Sequence, residues 1–101
     1  MNPDLNLFTI SDLEPYLNQT LLIRFSDDLK LDAELTTLTQ LPRYTGIERE
    51  PFSFVLRTEQ KTHYCHQGTY ILEHPLKGDI PVFLVPIGTD EKGMNYQSIF
   101  S

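Results

Sequence analysis

The sequence predicts a mainly β fold: a small antiparallel β-sandwich or barrel of about six strands, with one short N-terminal helix. Three features of the chain predict it. From Thr20 onward, apolar and polar residues alternate with the two-residue period of strands that bury one face. Turn-forming residues divide this region into short segments, a spacing typical of antiparallel sheets. A helix-capping pattern precedes the first segment.

The helix is predicted over residues 12–18. Ser11 and Glu14 have the spacing of a capping box, in which each side chain accepts a hydrogen bond from the other residue's backbone amide. Leu13, Tyr16 and Leu17 then fall on one helical face. A proline in the first turn is tolerated, because its missing N–H has no helical partner there.

Two strands are predicted before the central loop. Thr20–Phe25 is rich in β-branched and aromatic residues, and a turn follows it. Leu29–Leu41 alternates over a longer stretch, and the alternation is disturbed around Thr36–Leu38, which predicts a β-bulge or bend. The apolar residues that share one face of this strand are Leu29, Leu31, Ala33 and Leu35.

Four further strands are predicted in the C-terminal half. They cover Phe52–Arg57, Gly68–His74, Asp79–Gly88 and a last segment that contains Tyr96. The third is the most apolar, which indicates a central position, and Pro86 is expected at a strand end or edge because it cannot donate to a ladder. The residues assigned to the core or to one strand face are Phe52, Phe54, Leu56, Tyr70, Leu72, Phe83 and Phe100.

Composition limits the class of protein and its partners. The chain has 101 residues, which predicts one domain over residues 1–101, and 40% of them are hydrophobic, enough for a core. Acidic residues outnumber basic ones, giving a formal net charge of −6. Nucleic acids and anionic membranes bind clustered Lys and Arg, but the eight basic residues here are scattered. We therefore expect neither partner.

Cysteine usage and hydropathy indicate the compartment. Cys65 is the single cysteine, so no intramolecular disulfide forms and a reducing environment is the simpler inference. No apolar run approaches the roughly 18 residues of a membrane span. The N-terminus lacks the basic and apolar regions of a secretory signal. These features predict a soluble, cytoplasmic protein.

Several separated elements of the C-terminal half resemble a known family. In order they are Glu50–Phe54, Gln67–Tyr70, Glu73–Pro75, Gly78 and Phe83–Gly88, followed by Tyr96 and Phe100. They resemble a small bacterial domain family of unknown function, whose members lie near genes for proteins similar to phage tail-collar proteins. The resemblance covers about residues 45–101 and, more loosely, the chain from Phe8. It implies a β domain with an accessory or structural role, and no catalytic residue.

The most site-like cluster comprises His63, Cys65 and His66, with His74 nearby. His and Cys bind zinc, and Cys–His pairs act in nucleophilic catalysis. On a strand, however, His63 and Cys65 point to one side and His66 to the other. Paired zinc-ligand spacing and a Gly-rich turn before the cysteine are both missing. The four residues are weak candidates for a metal site or a small Cys/His-dependent hydrolase, and we expect no cofactor.

The loop from Pro42 to Pro51 contains the candidate partner-binding residues. It is longer than most connections, and it is rich in Arg and Tyr, which are frequent anchors of protein interfaces. The candidates are Arg43, Tyr44, Ile47 and Arg49.

We therefore predict a non-enzymatic structural or protein-interaction module with a protein partner. The family resemblance suggests an accessory of a phage-tail-like or mobile-element system. Two alternatives to the interaction module remain: the Cys/His-dependent hydrolase or metal-binding protein described above, and a small-ligand-binding β-barrel. The aromatic residues that would line its cavity are Phe52, Phe54, Tyr70 and Phe83.

Overall fold

Six antiparallel strands form a closed barrel in the computed structural model, which describes residues 8–42, 51–62 and 64–100. The strands are β1 Thr20–Ser26, β2 Leu29–Gln40, β3 Phe52–Arg57, β4 Gly68–His74, β5 Gly78–Thr89 and β6 Met94–Phe100. Their order around the barrel is β1-β2-β3-β6-β5-β4, and β4 pairs again with β1. The prediction of a mainly β fold is confirmed, and of the two predicted architectures the structure is the barrel.

The alternation that predicted the strands is also the pattern of burial. In β1, Leu21, Ile23 and Phe25 are buried, and the residues between them are partly exposed. The same holds for the apolar face of β2, where Ala33 and Leu35 are buried at its centre. A two-residue period therefore separates an inner from an outer face along these two strands.

The two longest strands, β2 and β5, have 12 residues each and bend at register shifts. In β2 the shift lies between Leu35 and Thr37, which confirms the predicted bulge. In β5 it lies between Pro86 and Gly88. Pro86 was expected at a strand end or edge, and it lies in the part of β5 that extends beyond its pairing with β4, which ends at Leu84. It is tolerated there because the irregularity interrupts the ladder where proline has no N–H to donate.

The predicted N-terminal helix is present as two single turns of 3₁₀ helix, Ile10–Asp12 and Glu14–Tyr16. The first turn begins earlier than predicted, because Thr9 caps it: the Thr9 amide donates to Asp12 Oδ2 at 2.8 Å. The capping pair predicted two residues later was wrong. No helix in residues 8–42, 51–62 or 64–100 has the length and apolar character needed to span a membrane.

The N-terminal segment covers the end of the barrel where β3 begins and β4 and β6 end, here called the lower end. Leu13 is fully buried there. The ring of Phe8 lies 5.8 Å from that of Phe52 and 5.0 Å from that of Phe100. The segment is thus part of the core. Its packing on the barrel stabilises two 3₁₀ turns that are too short to be stable alone.

Side chains fill the barrel interior. Its largest fully buried residues are Tyr96, Phe52, Phe54, Leu13, Ile23, Leu35, Leu56, Leu72, Ile80 and Leu84. The four aromatic residues predicted for a ligand cavity do not converge, because Phe83 lies on the outer surface and is 50% exposed. The prediction that Phe83 belongs to the core was wrong. Apolar residues occupy both faces of β5, so alternation alone does not say which face turns inward.

Ser98 provides the first test of this packing. It is 1% exposed, and its Oγ has no hydrogen-bond partner among the described residues. Burying an unpaired hydroxyl costs about 1–3 kcal/mol. We expect Ser98→Ala to raise the free energy of unfolding by about 1 kcal/mol in a urea titration, while the exposed Ser26→Ala changes it by less than about 0.5 kcal/mol. A destabilised Ser98→Ala would show that the hydroxyl has a partner.

Candidate interaction surface

His74 is a structural residue of the lower end. It is 5% exposed, and its Nε2 lies 2.7 Å from the carbonyl oxygen of Asp12. Its Nδ1 accepts hydrogen bonds from the amides of Leu76 at 3.1 Å and Lys77 at 3.0 Å. Because Nδ1 accepts, Nε2 carries the proton and donates to Asp12. Neither ring nitrogen is left for a metal or a substrate.

Cys65 belongs to a hydrogen-bond network at the opposite, upper end of the barrel. The Cys65 amide donates to the hydroxyl of Tyr96 at 2.9 Å, and that hydroxyl donates to Gln60 Oε1. Burial raises the pKa of Tyr96 to about 12, so the hydroxyl keeps the proton that it donates. The Tyr70 hydroxyl likewise donates to the carbonyl of His66. These contacts fasten the segment after β3 onto the barrel.

The structure does not bring the predicted His/Cys cluster together. His74 and Cys65 lie at opposite ends of β4, a seven-residue strand, roughly 20 Å long. His66 is exposed and contacts the ring of Tyr64, while His63 lies outside the described residues. Within the described ranges, no three His, Cys, Asp or Glu side chains are placed to hold a metal ion. Cys65 and His74 therefore cannot act as a nucleophile and its base.

The predicted partner-binding loop lies outside the described residues. This applies to all four candidates, Arg43, Tyr44, Ile47 and Arg49. At its base, the Leu41 amide donates to the Pro51 carbonyl at 2.9 Å. The described residues on either side of the loop are therefore paired with each other.

A groove of about 510 Å³ lies between β2 and the segments that follow β3 and β5. Arg57 crosses it, with Nη2 2.9 Å from Glu34 Oε1 and Nη1 3.4 Å from Asp90 Oδ2. Asp90 also accepts from the Lys92 amide and the Asn95 side chain, and these bonds lower its pKa to about 2. The central charges thus satisfy one another. Because the remaining lining residues carry both signs, the groove does not select an anion or a cation.

Ion pairs occupy the outer surface around β1. Arg24 contacts Glu73 at 3.2 Å and Asp79 at 2.7 Å, and Lys30 contacts Glu73 at 3.4 Å. All four side chains are partly exposed, so the pairs add little stability. They do mark this side of the barrel as charged.

On the other side of the barrel, the described residues form an outer face without charged side chains. The strand register places Thr37, Val55, Gln97 and Val85 in one row across β2, β3, β6 and β5. Phe83 and Ile99 lie two residues beyond the Val85–Gln97 pair on the same face, and Thr69 pairs with Phe83. We call the following six residues the uncharged face: Val55, Thr69, Phe83, Val85, Gln97 and Ile99.

The two largest side chains of this face are exposed. Phe83 is 50% exposed and Ile99 is 59% exposed, whereas their neighbours Leu84, Ser98 and Phe100 face inward and are buried. Single exposed apolar residues are ordinary, whereas a contiguous exposed apolar patch marks an interaction site.

Sequence reasoning missed this face. Phe83 is apolar and lies in the most apolar strand, so the sequence assigned it to the core. Both faces of β5 are apolar, however, and the sequence does not show which one turns inward. The available signal was the spacing of charges: between Ile80 and Thr89, and between Met94 and Phe100, no ionisable side chain other than that of Tyr96 occurs. Only the pairing of β5 with β6 shows that the two stretches lie side by side.

Fold and surface together define a class of protein: a small closed six-stranded barrel with a filled interior and an outer face on which the described residues carry no charge. The chain belongs to the DUF6916 family, a domain of unknown function, whose family model matches residues 8–100. This match confirms the resemblance to a domain family of unknown function and includes the N-terminal segment from Phe8. No curated protein and no solved structure matches the chain.

Proposed function

We propose that this chain is a non-enzymatic protein-interaction module that contacts its partner through the uncharged face. The observation that carries the proposal is the half-exposed pair Phe83 and Ile99, which lies in an area without ionisable side chains on a chain of net charge −6. Covering these side chains removes apolar surface from water and buries no charge. The six residues of this face carry no carboxylate, imidazole, amine or thiol.

Barrel closure supports docking on a face over addition of a strand. Each of the six strands has two neighbours in the barrel. A partner that extends a sheet needs an exposed edge strand, which closure removes. Side chains on the outer surface are therefore the main means of recognition.

The loop from Pro42 to Pro51 is proposed as a second contact. Register places its base beside the uncharged face, because Thr39 pairs with Ser53 and Ser53 pairs with Ile99. Arg and Tyr, which occur in this loop, are frequent hot-spot residues of protein interfaces. The residues proposed for this contact are Arg43, Tyr44, Ile47 and Arg49.

We also propose an accessory role in a phage-tail-like or mobile-element system. The support is the resemblance of elements between Glu50 and Phe100 to a family whose members lie near genes for tail-collar-like proteins. A non-catalytic barrel with one docking face suits such a role. The proposal expects tail-like proteins among the partners recovered in the experiment below.

Affinity capture with matched variants tests the module. Phe83→Lys places a charge at the centre of the uncharged face, whereas Leu76→Lys makes the same change in the exposed turn between β4 and β5, where Leu76 is 83% exposed. We expect the wild type and Leu76→Lys to recover the same partner from the source cell. Phe83→Lys should recover at least about tenfold less, because burying an unpaired charge costs more than about 1.4 kcal/mol.

The readout is quantitative mass spectrometry of cross-linked complexes. Equal recovery by Phe83→Lys and Leu76→Lys would place the interaction elsewhere on the barrel. Recovery of nothing but free monomer from every variant would contradict the module itself.

A further inference from the structure

We infer that protonation of His74 releases the N-terminal segment, residues 8–19, from the lower end of the barrel, so that acid opens this end. The inference goes beyond the proposed function, because it concerns the covering of the barrel end and is independent of the uncharged face. It rests on the burial and the hydrogen bonds of one imidazole, which belongs to the last residue of β4.

Among the described residues, one hydrogen bond joins the two 3₁₀ turns of the segment to the strands. It runs from His74 Nε2 to the Asp12 carbonyl, at 2.7 Å. The other backbone hydrogen bonds of the turns stay within the segment. Beyond the turns, the Asn18 amide donates to the Leu35 carbonyl at 2.7 Å, which ties the end of the segment to β2. The turns themselves are therefore held by this imidazole, by apolar packing and by the ion pair of Asp12 with Lys77.

The hydrogen bonds of His74 require a neutral ring. Nδ1 accepts from the amides of Leu76 at 3.1 Å and Lys77 at 3.0 Å, while Nε2 donates to Asp12. A protonated imidazole carries an N–H on both nitrogens and accepts no hydrogen bond. A proton on Nδ1 would therefore face two amide donors, and its charge would lie in a residue that is 5% exposed. Both effects favour an arrangement in which the ring leaves this position.

Charged and titratable groups around His74 do not offset a charge on its ring. Those on the elements packed against it are Asp12, Tyr16, Glu73 and Lys77. Asp12 Oδ1 lies 3.7 Å from Lys77 Nζ, so these two charges offset each other. Tyr16 contacts the imidazole edge-on through its aromatic ring, at 5.1 Å between centroids. Glu73 precedes His74 in β4, so it points to the outer face, where it pairs with Arg24.

Proton binding therefore opens the lower end. When the ring turns away from the two amides, Nε2 is withdrawn from Asp12, and the hydrogen bond between the turns and the strands is lost. Because the fastened state has no place for the added proton and the released state exposes the ring to water, acidification shifts the population towards release. Release uncovers Phe52 and Phe100, whose rings lie 5.8 and 5.0 Å from that of Phe8. An apolar surface at this end thus becomes accessible in acid.

Amide hydrogen exchange of the full chain between about pH 8 and pH 5, the range in which an ordinary histidine gains its proton, tests the inference. Rates are expressed as protection factors, which removes the intrinsic pH dependence of exchange. We expect the amides of Leu13, Tyr16 and Lys77 to lose protection at least about tenfold on acidification, because the three hydrogen bonds of the ring are lost together. The amide of Leu56 in β3 should keep its protection over the same range.

His74→Asn is the matched variant, because its side-chain carbonyl can accept from the turn amides but does not titrate. Circular dichroism first establishes that it is folded, and its protection should then be independent of pH. Lys77→Met removes the ion pair with Asp12 and should show the same loss as the wild type. A further readout needs no variant: the ¹⁵N shifts of the His74 ring should change over the same pH range as the protection of Leu13. Constant protection in the wild type, an equal loss in His74→Asn, or a loss that disappears in Lys77→Met overturns the inference.

Discussion

Replacing Gly93 with alanine should lower the free energy of unfolding by about 3 kcal/mol or more. Gly93 lies in the turn between β5 and β6 with φ of 157°. A Cβ at this position would overlap the backbone carbonyl of Thr58, in the segment after β3. Because the obstacle is backbone rather than a mobile side chain, the turn and that segment would have to separate.

Separation would break further contacts at the same place. The Thr58 amide donates to the Met94 carbonyl at 2.9 Å, which ties the segment after β3 to the start of β6. Within the turn, Asp90 Oδ1 accepts from the Gly93 amide at 3.0 Å, and the Asp90 amide donates to the Gly93 carbonyl at 2.8 Å. A shift of Gly93 therefore disturbs both the turn and the hydrogen bond between Thr58 and Met94. For this reason we expect a larger loss in the free energy of unfolding than the overlap of one methyl group alone would cause.

Gly78→Ala is the matched control, measured in the same urea titration. Gly78 also has a positive φ, of 80°, but a Cβ at this position would meet no other atom within 4 Å. Alanine there should cost only about 1–2 kcal/mol of backbone strain. If Gly93→Ala proves no more destabilising than Gly78→Ala, the close approach of the turn to Thr58 is not present in solution.

Strand positions and one buried face could be predicted from the sequence because both depend on local alternation. Phe52, Phe54 and Leu56 are fully buried, as their spacing in β3 predicts. The bulge after Leu35 could be predicted for the same reason, since it is visible as a break in that period. A two-residue period can be recognised in a short stretch of sequence, without information about the rest of the chain.

Closure of the barrel could not be predicted from the same signals. It depends on the pairing of β1 with β4, which lie far apart in the sequence and pair over only three residues, centred on Ile23 and Leu72. The N-terminal turns also depend on distant contacts: Phe8 packs on Phe52 and Phe100 at the lower end. A local capping pattern at Ser11 therefore predicted the presence of a helical segment and missed its start.

The candidate site was missed for a related reason. The sequence draws attention to reactive residue types, such as Cys65 and His74, but the fold places these two at opposite ends of β4. The uncharged face has no reactive residue and emerges only when strand register brings Val85 beside Gln97. A docking surface of this kind is defined by the absence of charged side chains on several neighbouring strands. The sequence of one strand does not show which strands lie beside it.

His74→Ala should destabilise the protein by about 3 kcal/mol, lowering the melting temperature by more than about 10 °C. The imidazole joins Asp12 in the N-terminal segment to Leu76 and Lys77 in the turn after β4. Alanine would leave one carbonyl and two amides without this partner. It would also remove the ring that contacts Tyr16 edge-on at 5.1 Å. Each of the three lost hydrogen bonds contributes about 1 kcal/mol to the free energy of unfolding.

His66→Ala is the control, because the His66 side chain is exposed and should change the stability by less than about 0.5 kcal/mol. Calorimetry measures both variants. A ¹H–¹⁵N spectrum of the wild-type imidazoles reports on the hydrogen bonds of the ring, independently of the packing that the alanine variant loses. It should show the His74 tautomer with the proton on Nε2, since Nδ1 accepts two amides. A proton on Nδ1, or equal stability of the two variants, would mean that His74 does not fasten the N-terminal segment to the barrel.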